Sequence, residues 1–455
     1  MIVLKFGGTS VGSAPAQRNV IEIVRTRLDK KPVVVVSALS GVTDMLYKAA
    51  QGGEGLQDVI KELKDRHFSL IRELIQQDRR LCIQTQKDVE TYIDFVEKTA
   101  SSATELSDRD KAAIISTGEL MSSVIVRAAL CCNGIPAARI DARNFIIATG
   151  DPFKGEPDTD EINERTPDAV NGAFDGLTPE GERPQAVVTQ GFICSSGSGK
   201  PALLGRGGSD YSASLIGRAL EAEAVEIWTD VDGVRTADPR RVPTTRCLKR
   251  ISYEEAAEMA HFGAKVLHPL TLEPAKALDI PVYVLNTKNP DGECTVILNK
   301  DKVTEPVKSV SYKNNILVIT LSPRQSMDSA GFIKKIFDVF SEYRIVVDLI
   351  STNNARVSIT TDPGQKNLDK ALEMAGEFAF VCIDDQKAQI SAIGSNAIVM
   401  NSILKMTFKP LRDSKIYMIS PGASSVNISF VVDREKLDET LCETHKYLIE
   451  NESCN

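Results

Sequence analysis

The chain has 455 residues, 42% of them hydrophobic and 25% charged, with a formal net charge of −8. That composition excludes wholesale disorder, and at roughly 150 residues per domain the length allows about three domains. The acidic surplus, a single Trp and an aromatic share of 5% argue against a nucleic-acid or anionic-membrane partner, either of which needs clustered basic charge.

Ile2 to Phe6 reads as a buried strand, followed by a Gly/Ser/Thr turn and a helix from Ala14 to about Lys30. Val33 to Ala38 is a second strand, and its contiguous β-branched residues fit burial on both faces. The run Val33 to Val36 is the longest aliphatic stretch, far below the roughly 20 residues of a membrane span. Charged helices are expected over Gln57 to Gln77 and Asp88 to Ser101, and further strands over Ala186 to Ile193 and Ala224 to Thr229. Strand–helix alternation predicts an α/β fold, a parallel sheet sandwiched between helices. Asp151 to Pro184 reads as a polar excursion or surface hairpin, and Asn289 to Gly292 as a boundary. From Asn314 the spacing predicts a strand-helix-strand-strand-helix-strand pattern run twice, the ferredoxin-like βαββαβ unit. The expected domains are 1–295, 314–388 and 389–455. Nine scattered cysteines without a CxxC pair read as reduced thiols of a cytosolic protein.

Five motifs carry chemistry. Lys5-Phe6-Gly7-Gly8-Thr9-Ser10 sets a lysine and two glycines between a strand and a helix, a cradle for an anion. It is neither a P-loop nor GxGxxG, since its lysine precedes the glycines. Gly205-Arg206-Gly207-Gly208-Ser209-Asp210 repeats the geometry with an arginine able to grip a carboxylate or phosphate in two-pronged fashion. Helix capping alone would explain Ser209 and Asp210 but not Arg-Gly-Gly. Thr229-Asp230-Val231-Asp232-Gly233 ends a strand, where open parallel sheets bind ligands, although Asp-Gly is also a plain turn signal. Ser116-Thr117-Gly118-Glu119 is read at a helix start, where Glu119 could simply complement the dipole. Phe262-Gly263-Ala264-Lys265-Val266-Leu267-His268-Pro269 puts another lysine at a helix opening; His261 and His268 read as structural. Glycine-opened turns bearing cations indicate a polyanion held without a P-loop: a nucleotide-dependent enzyme, most simply a phosphotransferase.

These motifs, with Ser37-Ala38-Leu39-Ser40-Gly41-Val42-Thr43, together resemble the aspartate kinases, and the tail resembles their paired ACT domains. The resemblance implies an amino-acid-kinase-like sandwich followed by two ACT domains. It implies transfer of the γ-phosphoryl group of MgATP to the side-chain carboxylate of L-aspartate, the first step towards lysine, threonine and methionine. By the same resemblance Lys5 and Asp210 are catalytic. Lys5, Phe6, Gly7, Gly8, Thr229, Asp230, Arg235, Arg240, Lys265 and Val266 attend ATP, and Arg235 replaces an aromatic residue of some relatives. Ser37, Thr43, Glu119, Arg206, Gly207, Gly208 and Ser209 attend aspartate. Mg²⁺ is expected with ATP and not in a protein cage. An amino-acid effector, lysine before threonine, is implied near Met327, Asp328, Ser329, Gly331, Val347, Asp348 and Thr352. Val346 and Asn354 depart from a serine and a glutamate common in lysine-inhibited relatives. A homodimer or higher oligomer through the ACT domains, in the cytoplasm, is also implied. Two other readings stay open: a relative acting on glutamate, N-acetylglutamate or a nucleoside monophosphate, and a non-catalytic amino-acid sensor.

Overall fold

The computed structural model describes residues 1–53, 55–102, 105–263, 267–299, 307–325, 327–353, 356–394, 415–424 and 426–450, with backbone only at 421–424. The chain forms two units. One comprises Met1–Val234, Cys247–Tyr253 and Leu267–Asp301; the other comprises Arg235–Arg246, Glu254–Val266 and Lys302–Asn455. Two short stretches inside the first expected domain thus pack with the second unit.

The first unit is built on an eight-stranded sheet. In chain order its strands are β1 (Ile2–Phe6), β2 (Pro32–Val36), β3 (Ala137–Arg139), β4 (Ala186–Gln190), β5 (Ala224–Thr229), β6 (Arg250–Ser252), β7 (Val282–Asn286) and β8 (Thr295–Leu298). Across the sheet they lie β6-β8-β7-β5-β1-β2-β4-β3. Neighbours are parallel except β7 and β8, so β8 and its parallel partner β6 run against the other six. Every residue of β1, β2 and β4 is buried, as expected of strands covered on both faces. The unit's last strand, β8, lies beyond Asn289–Gly292, so that turn is not a domain boundary.

Two helices differ from the sequence reading. The stretch after Asp151 holds a short hairpin and then a helix, Thr159–Asp175. Asp158 caps it by accepting the Glu161 N–H, and Ile162, Thr166, Val170 and Phe174 bury one stripe. Pro167 inside that helix and the polar composition around it masked the periodicity. Glu119 is not at a helix start: its helix is Asp108–Cys132, opened eleven residues earlier by a capping box between Ser107 and Asp110. That helix is long and apolar enough to cross a membrane by composition alone, but 89% of its apolar window is buried inside the protein.

The second unit is a six-stranded antiparallel sheet. Its strands are β9 (Ser309–Pro323), β10 (Ile350–Asn353), β11 (Arg356–Thr361), β12 (Ala379–Ile393), β13 (Met418–Ser424) and β14 (Asn427–Asp433), in the order β10-β11-β9-β12-β14-β13. The tandem repeat expected from the sequence is instead an insertion. β9 and β12 each have 15 residues and serve two ferredoxin-like arrangements. Residues 316–323 pair with 379–387 in the first arrangement, between β11 and the second half. Residues 309–313 pair with 389–393, beside β14 and β13. The second arrangement therefore takes its fourth strand from ahead of the first, with a register shift between Lys313 and Ile316 at the changeover. Phe332, Ile336 and Phe340 pack one core on Ile319, Val357 and Ile359. Leu437 and Leu441 pack a second on Ile390, Ile428 and Phe430, joined by Ala237 and Val242.

Candidate active site

β1 carries Lys5 to the end of a central strand, between Val35 of β2 and Ile227 of β5. Its Nζ lies 2.6 Å from Asp210 Oδ1, and neither side chain is more than 16% exposed. Asp210 sits in the first turn of the helix Gly208–Ala219. Gly205 and Gly207, at φ +79° and +71°, take the left-handed backbone that this turn needs, and a Cβ on Gly207 would stand 3.0 Å from His268 Cβ. On the facing turn a Cβ on Gly8 would come within 2.8 Å of the Ala38 carbonyl oxygen. Glycine there lets two strand ends close on each other.

Glu119 approaches from the helix Asp108–Cys132. A Cβ on the preceding Gly118 would meet Ala38 Cβ at 2.9 Å, so glycine brings the helix close enough for Glu119 Oε1 to accept the Ala38 N–H at 3.2 Å. Its Oε2 is buried with no hydrogen-bond partner among the described residues. Burial pushes the carboxyl up to about 8, against the pull of the Ala38 N–H. With no ligand Glu119 is therefore mostly neutral at pH 7. Ser37 donates to Ser209 Oγ at 3.0 Å, tying β2's end to the arginine turn. Arg206 is exposed and makes no ion pair among the described residues.

These groups share one cleft of about 350 Å³, lined by Lys5, Gly8, Ser37, Thr43, Glu119, Phe192 and the run Arg206–Asp210. The helices Val42–Gln51 and Gly208–Ala219 begin at its wall, after Gly41 and Gly207, with no side chain capping their first N–H groups. Helix starts without a side-chain cap, a lysine and an arginine are complementary to phosphate and carboxylate. In a larger cavity, about 560 Å³ around Tyr47, Ala100, Ile115 and Phe153, Glu105 and Lys111 are the charged lining among the described residues. It lacks the cleft's convergence of charge, so size does not identify the site.

The other sequence-predicted residues lie elsewhere. Phe6 is fully buried and stacks on Trp228 at 6.1 Å, and Gly7 donates to the Trp228 carbonyl at 3.3 Å. Thr229 ends β5, and its hydroxyl donates to Asp230 Oδ1 at 3.3 Å, outside the cleft lining. Arg235 and Arg240 belong to the second unit. There Arg235 donates to Thr245 Oγ1 and O, and Arg240 pairs with Asp238. That pairing holds the Asp238 carboxyl down at about 2. Lys265, Val266 and Asn354 lie outside the described residues.

Of the expected effector group, Asp328 caps the helix Ser329–Glu342 through the Gly331 N–H at 2.8 Å. Met327 is exposed, Val347 packs on the adjoining core, and Thr352 is exposed on the edge strand β10. Asp348 turns inward to Lys313 Nζ at 2.7 Å and His261 Nε2 at 3.2 Å. Burial opposes ionisation of Asp348, but these two partners hold its carboxyl below the usual range. Phe192 was not anticipated. Its signal was available, because it closely follows β4 just as the other cleft residues follow their strands.

The chain is similar to known proteins along its whole length. Residues 1–286 match the amino acid kinase family. The chain is 33% identical to the lysine-sensitive aspartokinase 3 of Escherichia coli over 99% of both chains. It is 34% identical to the chloroplastic aspartokinase 3 of Arabidopsis thaliana, over 99% of this chain and 82% of that one. Among solved structures, E. coli aspartokinase III with aspartate and ADP in the R-state superposes with a TM-score of 0.85, at 32% identity over 98% of this chain and 99% of that one. The same enzyme with lysine and aspartate, in the T-state, gives 0.82 at 31% identity over 99% of each chain. By matched length, identity and fold, the chain belongs to the amino acid kinase family and, within it, to the aspartokinases.

Proposed function

We propose that the cleft transfers the γ-phosphoryl group of ATP to the side-chain carboxylate of L-aspartate, giving 4-phospho-L-aspartate and ADP. The acceptor carboxylate has an ordinary pKa near 4 and is already ionised, so the step needs no general base. The obstacle is repulsion between a carboxylate and a triphosphate. Lys5 stabilises the charge on the transferring group, and Asp210 holds that ammonium in place. The Gly8 turn accepts the phosphates, Arg206 grips an aspartate carboxylate, and Thr43, Ser37 and Ser209 fix its orientation. Glu119 takes the aspartate ammonium. Magnesium enters on the nucleotide's phosphates, its usual route in phosphoryl transfer.

The observation that carries this reading is the convergence of Lys5, Asp210, Arg206 and Glu119 on one cleft at the ends of parallel strands. An ATP-dependent hydroxamate assay with L-aspartate tests it: aspartate hydroxamate and ADP are expected, and their absence with folded protein overturns it.

We also propose lysine feedback at the second unit, supported by the lysine-sensitive relative. Pairing of two copies through the first ferredoxin-like arrangement is supported by its exposed edge, β10, where Ile350 is 48% exposed. Calorimetric titration with lysine and threonine, and sedimentation, test these two points. Seven cysteines free of disulfides among the described residues, Cys82, Cys131, Cys132, Cys194, Cys294, Cys382 and Cys442, favour a reducing compartment such as the cytoplasm.

A further inference from the structure

Phe192 holds φ +66°, a left-handed backbone that a bulky side chain adopts only when its surroundings impose it. Here they do. The Phe192 N–H donates to Ser212 Oγ at 2.9 Å, and its carbonyl accepts the Leu204 N–H at 2.9 Å. A Cβ on Gly208 would come within 2.6 Å of the Phe192 ring at Cδ2. A Cβ on Gly191 would come within 2.7 Å of Ser209 Cβ. Two neighbouring positions are thus bare of side chains, one of them against the ring itself.

The ring is also chemically out of place. The other apolar side chains lining the cleft, Ala38 and Leu39, are 3% and 1% exposed. Phe192 is only half-buried, so it is the one large apolar surface that the cleft presents among the described residues. The charged groups lining the cleft, Lys5, Glu119, Arg206 and Asp210, complement any amino diacid, and an apolar wall adds selection on its carbon chain.

We infer that the Phe192 ring packs on the carbon chain of the acceptor and sets its length, favouring the four-carbon amino diacid over its five-carbon homologue. This rests on the aspartate-kinase reading above. A pocket that measures one methylene by apolar contact discriminates by roughly 10–200-fold, and a ring carried on a backbone held at both its N–H and its carbonyl supplies such a wall.

The test compares Phe192→Gly, Phe192→Ala and Phe192→Leu with the unchanged protein. It measures kcat/KM for L-aspartate and L-glutamate at saturating ATP, and KM for ATP. Glycine takes φ +66° without strain, so Phe192→Gly keeps the test open where Phe192→Ala fails to fold. The Gly variant is expected to raise the glutamate-to-aspartate ratio of kcat/KM by roughly tenfold or more, with KM for ATP changed by less than about twofold. The Leu variant should keep most of the discrimination. A folded Gly variant with an unchanged ratio overturns the inference. If the unchanged protein forms no ADP with aspartate, the reading beneath it falls instead.

Discussion

Glu119 Oε1 accepts the Ala38 N–H at 3.2 Å, while Oε2 of the same carboxyl is buried without a partner among the described residues. Half of the group is thus fastened to the end of β2 and half is held ready. Burial raises its pKa to about 8, so an incoming ammonium should drive ionisation. Aspartate binding at pH 7 is expected to release close to one proton, readable by calorimetry in buffers of different ionisation enthalpy. Glu119→Gln should abolish that release and weaken aspartate while leaving ATP affinity near normal. Equal weakening of both ligands would contradict the assignment.

The same group shapes stability. A carboxyl whose folded pKa is raised favours the folded state most below its unfolded pKa, and that contribution is lost as pH rises towards the folded value of about 8. Between about pH 4.5 and 8 the unchanged protein should therefore lose more thermal stability than Glu119→Gln. Parallel melting curves for the two would exclude Glu119 as the titrating group.

Lys5→Ala should lower turnover by roughly 100-fold or more, the scale of losing one preorganised charge-stabilising contact. Asp210→Asn should act in the same direction, since it removes the partner 2.6 Å from the Lys5 ammonium. Single-turnover kinetics on folded variants would check both, and near-normal turnover would remove Lys5 from the mechanism.

Gly118→Ala sets two effects against each other. Alanine is the better helix former by up to about 1 kcal/mol. Its Cβ would stand 2.9 Å from Ala38 Cβ and 3.0 Å from Leu46 Cδ1, both in packed core. Overpacking of this kind costs about 1–3 kcal/mol, so net destabilisation and weaker aspartate binding are expected. Urea unfolding that shows stabilisation would mean that the helix can shift outward.

Asp348 and Lys313 form a pair whose side chains are 3% and 14% exposed. Removing one partner of a buried pair costs about 3–5 kcal/mol when the other charge is left uncompensated; here Lys313 keeps the exposed Asp362 at 3.3 Å, which lowers that cost. Asp348→Ala should therefore destabilise the second unit at pH 7 by less than that full penalty. The Asp348 carboxyl lies below its ordinary pKa, so its contribution is present above that ordinary value and is lost as pH falls through the lowered one. The penalty of the substitution should accordingly shrink in acid, below about pH 4. Chemical denaturation at the two pH values measures this.

Much of the first unit was legible because buried parallel strands announce themselves. Ile2 to Phe6 and Ala224 to Thr229 match β1 and β5 residue for residue, each a short run rich in β-branched and aromatic residues and followed by turn chemistry. The cleft was legible for the same reason: glycine, lysine and arginine cluster where such strands end. Less legible was anything decided by tertiary contact. No local pattern places Glu119 in mid-helix against Ala38, since only the missing Cβ of Gly118 allows it. Nor could periodicity assign Arg235 and Arg240 to the second unit, where Thr245 and Asp238 hold them. The longest-range pairing of the second unit, of 309–313 with 389–393, was invisible for the same reason: both halves read as ordinary strands, and nothing local names a partner so far along the chain.

That pairing dictates an order of assembly. Residues 309–313 emerge from the ribosome well before the strand they match, and until 389–393 arrives they present an open edge. Closing the intervening loop is entropically costly for a loose chain. It becomes cheap once 316–323 and 379–387 have zipped together, because the two remaining segments are then already side by side. The inner arrangement thus acts as the clasp that brings the outer one into register, and damage to the clasp should unfold both.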